Sequence, residues 1–436
     1  MSSPDRAYWK PAEETLPRPA LEALQLDRLR QTLARVWEKV PFYRHKLDEA
    51  KVSLDAVRGL ADLRRLPFTT GADLRETYPA GLLAVPPDEA LRLHTSSGTT
   101  GKPKAIFFSR QDVDNSAELC ARSFVATGMG RQDVFQNMMT YGLFTGALVT
   151  HYAAEKIGCL VIPAGPGNSD RQLLLMRDFR TTAIHITPSF ALYFADFLEK
   201  HGVDPRQELA LQRAFVGAEP YTEATRRKIE AGLGVRAFNS YGLSEMNGPG
   251  VAFECQEQQG MHLWEDHFLM EIIDPGSGEP LPLGARGELV LTTLVREAMP
   301  ILRYRTRDIT SIMDAPCACG RTHRRIQRIT GRADDMLIVR GVNFYPQQVE
   351  RILMAIEGVG RNYVICLEGL DEMTVKVELS EAGMSDRPEP MYALQDEIVS
   401  GLRAEILTKP KVELVPPGAL PVSEGKARRV IDNRKL

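Results

Sequence analysis

From about residue 105 to 245 short apolar runs alternate with helix-length stretches, and this alternation limits the possible folds more than any other feature of the chain. "AIFF" (105–108), "CLVIPA" (159–164), "TAIHITP" (182–188) and "RAFVGAE" (213–219) are too short for helices, so they read as strands. Strands alternating with helices predict an α/β domain with a largely parallel sheet. Between about 268 and 313 the pattern changes to "FLMEIID", the turn-rich "PGSGEPLPLGARG" and "ELVLTTL". That change predicts an antiparallel, β-barrel-like segment.

Leu26, Leu29, Leu33 and Val36 recur at spacings of three and four, which predicts an amphipathic helix over 20–38. Beyond residue 332 a smaller α+β unit is expected. "DMLIVRG" reads as a strand, and Pro346 opens a helix with Val349, Ile352, Leu353 and Ile356 on one face. "NYVICLE" and "MTVKVEL" read as strands, and a helix near 391–407 follows. The division expected is a large N-terminal α/β domain over 1–332 and a small C-terminal domain over 333–436.

The 436 residues are 43% hydrophobic and 25% charged with a net charge of −3, an ordinary globular composition. So even a balance leaves no electrostatic footprint for nucleic acid, despite the arginines between Arg303 and Arg332. No apolar run approaches the ~20 residues that span a bilayer, and "MSSPDRAYWK" lacks a basic-then-apolar leader. A cytoplasmic protein without membrane partners is expected, its six cysteines kept reduced.

Residues 94–104 read "HTSSGTTGKPK". Gly98 and Gly101 allow close approach of the backbone to a polyphosphate, while Ser96, Ser97, Thr99 and Thr100 add hydroxyls and Lys102 and Lys104 add charge. A Walker P-loop is excluded, because only two residues separate the glycines and Pro103 follows Lys102. A flexible Ser/Gly linker would have no use for two lysines abutting a strand.

Four clusters follow in order: "FVGAEPYTEA" (215–224), "NSYGLSE" (239–245), "YRTRD" (304–308) and "GRADDMLIVRG" (331–341), with "SEGKARRVID" (423–432) near the end. Tyr241 can stack on a base, Ser244 and Glu245 can face phosphate and a divalent metal, and Asp308 suits a ribose diol. Each string is weak alone. In this order they resemble the adenylate-forming superfamily of acyl-CoA synthetases, peptide-synthetase adenylation domains and luciferases. "YGLFTGA" (141–147), "SEMNGPGVAFEC" (244–255), "WEDHF" (264–268), "IIDP" (272–275) and "DDMLIVRGVNFYP" (334–346) are similar to the phenylacetate–CoA ligase branch, over a likeness that runs from about residue 20 to the C-terminus.

The resemblance implies an acyl-CoA synthetase-like fold whose small C-terminal domain is mobile. It also implies an ATP-dependent, AMP-forming ligase that activates an aromatic acid, phenylacetate first, as an acyl-adenylate and passes it to coenzyme A. Ser96 to Lys104 would hold the β- and γ-phosphates. Gly217, Ala218, Glu219, Asn239 and Tyr241 would frame the adenine, with Ser240 and Gly242 also binding the nucleotide, Asp308 on the ribose and Arg332 near the nucleotide. Ser244 and Glu245 would serve the α-phosphate and Mg²⁺, and Lys426 would contact both carboxylate and α-phosphate. Asp334 matches the hinge, Gly341 and Val342 the pantetheine tunnel, and Tyr141, Phe144 and Pro249 the acid pocket. The superfamily often has Thr where Ser244 stands and Gly where Arg307 stands. A homodimer is usual for the branch.

Cys317 and Cys319 in "PCACGRTH" and Cys255 and His262 in "CQEQQGMH" offer a ligand set suited to structural Zn²⁺, with His323 and His267 as rivals for the fourth place. Two other functions remain open at this point. One is a nucleotidyltransferase acting on another acceptor, such as a deazaflavin, or on an aryl acid without a CoA step. The other is a catalytically inactive, zinc-containing binding scaffold.

Overall fold

A computed structural model describes residues 8–95, 103–339, 342–368, 372–385, 387–421 and 429–434. The chain forms two compact units, Met1–Gly165 with Phe238–Arg328, and Pro166–Ala237 with Ile329–Leu436. Each unit is therefore assembled from two separate stretches of sequence.

In the first unit the long helix Arg18–Lys39 buries Leu21, Leu29, Leu33 and Val36 on one face, the stripe that its three-and-four spacing dictates. Burying each such leucine contributes about 1.5–3 kcal/mol. Two polar residues on that face find partners, since Gln25 Nε2 donates to Glu265 O (2.9 Å) and Thr32 Oγ1 to Leu294 O (3.1 Å). Helix Arg110–Ala126 starts at a capping box formed by Ser109 and Asp112 and is buried on nearly every side. Strands Ile312–Met313, Arg325–Ile326, Met261–Leu263 and Gly248–Glu254 pair antiparallel in that order, and Val134–Asn137 pairs parallel with Leu160–Ile162. The β segment expected over 268–313 is an antiparallel sheet of Phe268–Ile273, Gly287–Thr293 and Tyr304–Thr310.

The glycine-rich loop joins two antiparallel strands, Arg92–Thr95 and Ala105–Phe108, whose pairing ends at Thr95 opposite Ala105. A Walker loop instead leads into a helix, so the topology agrees with the exclusion drawn from spacing.

In the second unit Ala183–Ile186 pairs parallel with Arg213–Gly217 among helices Ser169–Asp178, Pro188–Lys200 and Glu223–Leu233. The C-terminal part holds a sheet ordered Lys411–Val415, Glu372–Leu379, Val359–Glu368, Val430–Asp432, whose central pair is antiparallel and whose outer pairs are parallel. Helices Pro346–Ala355 and Pro388–Ile406 close its core, in which Val349, Leu353, Ile365, Val375, Ile398 and Leu402 are fully buried. The face expected on the first of these helices is wider than its apolar pattern suggests. Glu350 and Met354 are buried as well, while Ile352 and Ile356 are only partly covered.

Candidate active site and metal cluster

Strand Arg236–Leu243 pairs with Gly248–Glu254 through a register break between Tyr241 and Gly242, and the tight return is a single 3₁₀ turn, Ser244–Met246. Only glycine fits at 242. A Cβ there would lie 1.9 Å from the carbonyl oxygen of Gly248. This return aims Glu245 inward, where the residue is 5% exposed.

Lys104 Nζ donates to Glu245 Oε1 at 2.6 Å, and Tyr304 Oη donates to the same oxygen at 2.9 Å. Lys104 also donates to Tyr304 Oη at 3.0 Å, which closes a triangle. Burial pushes the Glu245 carboxyl up, but the Lys104 charge and its hydrogen bond outweigh it, and the group is held below its ordinary value as a carboxylate. Behind it lies Arg296, fully buried. Its Nη1 donates to Glu245 O (2.9 Å) and Asn247 Oδ1 (3.2 Å), and its Nη2 donates to Phe107 O (3.0 Å). Desolvation brings the Arg296 guanidinium down to about 10. Arg296 thus ties the strand after the phosphate loop to the turn that carries Glu245.

Tyr241 Oη donates to Asp308 Oδ2 at 2.7 Å, so the residues expected at base and ribose meet. Asn239 N donates to Glu254 Oε2 at 2.7 Å, and Ser240 lies buried beside it on the strand. Arg307, where the superfamily often has Gly, sits at φ +68°, the left-handed region that glycine enters freely. Ser244 Oγ lies 3.2 Å from Thr145 Oγ1, at the start of helix Thr145–Ile157. Of the expected acid-pocket residues, Tyr141 accepts from Asn137 Nδ2 (3.0 Å) and faces His151 Nδ1 (3.1 Å), and burial pushes its phenol up to about 12. Phe144 is 42% exposed and Pro249 is half-buried.

In the second unit Gly217 ends its strand, Ala218 follows at φ +69°, and Glu219 Oε2 accepts from Ser189 N (3.1 Å) and Oγ (2.7 Å). Arg332 clamps Asp334 with two bonds of 3.0 Å, so the expected hinge residue is paired at the surface. Val342 pairs with Val339 in a short hairpin. Ser96, Ser97, Gly98, Thr99, Thr100, Gly101, Lys102, Gly341 and Lys426 lie outside the described residues.

Tyr304 and Arg296 were not singled out in the sequence. Tyr304 opens the "YRTRD" string that carries Asp308, and strand alternation places Tyr304, Thr306 and Asp308 on one face. Arg296 lies in a loop with no motif, so no local signal marks it.

The metal-ligating candidates converge within the first unit. Ligand atoms of Cys255, His262, Cys317 and Cys319 all lie within 4.8 Å of one another. Cys255 follows strand Gly248–Glu254 in a turn closed by Gln258 N to its carbonyl, and Cys317 begins a turn closed by Gly320 N. Sγ of Cys255 is 3.7 Å from that of Cys317, and Cys319 Sγ is 3.3 Å from His262 Nε2. His262 Nδ1 donates to His323 O at 3.0 Å, which fixes the tautomer and leaves Nε2 toward the sulfurs. Hydrogen bonding to Cys317 leads in pushing the Cys255 thiol far up, whereas the bond from Cys255 leads in pulling Cys319 far down. Three thiols and an oriented imidazole in a buried space are the donor set of a tetrahedral zinc site. The rival histidines are engaged elsewhere: His323 bonds Glu265 N (2.9 Å) and Glu13 O (2.9 Å), and His267 Nε2 lies 3.6 Å from Asp266.

The sequence matches the AMP-binding enzyme family over residues 19–294 and the AMP-binding enzyme C-terminal domain over 341–434. It is 49% identical over 444 residues to a phenylacetate-coenzyme A ligase of Thermus thermophilus, covering 98% of this chain and 100% of that one. It is 43% identical over 420 residues to a phenylacetate-coenzyme A ligase of Escherichia coli, covering 95% of each. Among solved structures, 2-hydroxyisobutyryl-CoA ligase in complex with 2-HIB-AMP superposes with a TM-score of 0.93 at 29% identity, covering 100% of this chain and 94% of the other.

Proposed function

The chain belongs to the phenylacetate–coenzyme A ligase family of AMP-binding enzymes, and from that premise we propose that the acid it activates is phenylacetate. It is an ATP-dependent, AMP-forming acid–CoA ligase working through an acyl-adenylate. The observation that carries the choice of acid is likeness along the whole chain, 49% identity over 98% of its residues, to a protein named for that substrate.

The residues take these parts. In the first step a carboxylate oxygen of the acid attacks the α-phosphorus of ATP; the acyl–phosphate bond forms and the bond to pyrophosphate breaks. Lys104 and the loop Ser96 to Lys102 hold the outgoing phosphates, and Lys426 bridges the attacking carboxylate and the α-phosphate. Tyr241 and Asp308 seat the adenosine in the first unit, with Asn239, Ser240 and Gly242 alongside. Gly217, Ala218, Glu219 and Arg332 keep the nucleotide-binding parts that the family resemblance gives them. Glu245, an ionised carboxylate on a tight turn, is a hard oxygen donor that fits Mg²⁺. Mg²⁺ supplies neutralisation of the phosphate charge. In the second step the CoA thiolate attacks the acyl carbon, the thioester forms and AMP departs. Asp334 acts as the hinge for residues 333–436 between the two steps, and Val342 lines the pantetheine path with Gly341. Tyr141, Phe144 and Pro249 shape the acid pocket.

Cys255, His262, Cys317 and Cys319 hold a structural Zn²⁺ with no part in the chemistry. Homodimeric assembly and a cytoplasmic location follow the family. Among the described residues no helix is long and apolar enough to cross a membrane.

The test is a panel of carboxylates assayed for pyrophosphate release and for thioester, with and without CoA. Phenylacetate should give the highest kcat/KM, with AMP and thioester formed in equal amounts. A higher kcat/KM for an aliphatic acid, or an adenylate that CoA does not discharge, would overturn the reading.

A further inference from the structure

Glu245 is anchored at its backbone and crowded at one oxygen. Arg296 fixes its carbonyl, and both side-chain donors, Lys104 and Tyr304, converge on Oε1. No hydrogen bond from another described residue reaches Oε2. The carboxylate is thus turned so that one oxygen is held by protein and the other is left for a cation.

The two donors differ in how permanently they can stay. Lys104 ends a flexible stem at the margin of the phosphate loop, with its side chain 18% exposed, and triphosphate competes for its charge. Tyr304 is 3% exposed, lies within strand Tyr304–Thr310, and carries its hydroxyl on a ring with only two side-chain torsions. Its Oη donates to Glu245 and accepts from Lys104, so it is satisfied from both sides in the absence of nucleotide.

We propose that Tyr304 is the positioning residue for Glu245. In the chain without nucleotide the Lys104 ammonium balances the carboxylate. When triphosphate draws Lys104 away, the Tyr304 hydroxyl keeps its bond to Oε1 and holds Oε2 toward the incoming divalent cation. The proposal rests on the reading of Glu245 as the Mg²⁺ ligand, and its test separates the two.

Binding of Mn²⁺, as a paramagnetic stand-in for Mg²⁺, is titrated by EPR on the full chain with α,β-methylene-ATP, for wild type, Tyr304→Phe and Glu245→Gln. A hydrogen bond to a charged group is strong enough that Tyr304→Phe should weaken Mn²⁺ roughly ten-fold. The Mg²⁺ half-saturation of pyrophosphate release should rise in step, with kcat at saturating Mg²⁺ falling less than about three-fold. A p-aminophenylalanine at position 304 fills the same space with a weaker donor and should give an intermediate loss. That variant carries the test if Tyr304→Phe does not fold. A purely structural Tyr304 would lower Tm and leave Mn²⁺ affinity unchanged. Unchanged affinity in the Tyr304 variants alongside a large loss in Glu245→Gln overturns the proposal, and no loss in Glu245→Gln overturns the ligand assignment beneath it.

Discussion

Two glutamates, one in each unit, are buried to nearly the same degree and are shifted in opposite directions. Glu245 is 5% exposed and Glu350 is 9% exposed. Desolvation is the largest influence on both and pushes both carboxyls up. At Glu245 the Lys104 ammonium at 2.6 Å reverses the effect, and the group stays charged. At Glu350 the direct partners are neutral: Thr225 Oγ1 donates to Oε1 at 2.6 Å, Thr222 N to Oε1 at 3.3 Å, and Tyr363 Oη to Oε2 at 3.3 Å. The Arg429 charge pulls in the other direction but burial wins, and the Glu350 carboxyl stands above its ordinary 4.5. Burial alone therefore does not say what a carboxylate does. A contacting cation keeps one charged, as the proposed metal ligand must be, whereas two hydroxyls and a backbone amide make the other a strut between helix Pro346–Ala355 and the start of helix Glu223–Leu233.

The comparison breaks most sharply on removing each charge. Glu245→Gln should cut the rate of pyrophosphate release by about 10²–10³-fold, the scale of losing one group that stabilises developing charge. Glu350→Gln, which mimics the protonated acid, should leave that rate within about two-fold. Equal losses in steady-state assays of the two variants would erase the distinction. As the proposed zinc site, the cysteine cluster offers a third way to settle buried charge. Cys317→Ser should abolish bound zinc in atomic-emission analysis and cost roughly 3 kcal/mol or more in denaturant unfolding, while the folded fraction keeps its kcat. A fall in kcat that exceeds the fall in folded fraction would give the metal a catalytic part.

Smaller effects sharpen the Glu350 side. Because its folded value lies above the unfolded 4.5, the unfolded chain releases this proton first as pH rises. Its stability contribution is complete below about 4.5 and is lost as pH climbs through the raised value. Urea unfolding at several pH values should show that decline in wild type and not in Glu350→Gln. Smallest is Thr225→Val, which removes the shortest bond to Oε1 and should cost about 1 kcal/mol in the same titration.

Much of this was legible in the chain. The alternation from 105 to 245 and the proline before Val349 depend on neighbours only, so strand Ala105–Phe108 and helix Pro346–Ala355 follow from local pattern, whereas the pairing of Ala105–Phe108 with Arg92–Thr95 came from the fold. The four candidate zinc ligands could be named because cysteine and histidine are chemically conspicuous. Choosing His262 over His323 and His267 on geometric grounds needed their hydrogen bonds, which join residues far apart in sequence. Cys366 is only partly covered although its strand neighbours Ile365 and Leu367 are fully buried, because successive side chains on a strand face opposite sides.

The sequence by itself determined the class of fold, the nucleotide and the family of the reaction, because those are written in side-chain periodicity and in ordered short strings. Tertiary structure decided which oxygen of Glu245 is occupied, what Arg296 and Tyr304 support, and why the Glu350 carboxyl is pushed up where Glu245 is held down. These depend on charge and solvent within a few ångströms, and the groups that set them, Lys104 and Tyr304 around Glu245 or Thr225 and Tyr363 around Glu350, arrive from distant parts of the chain.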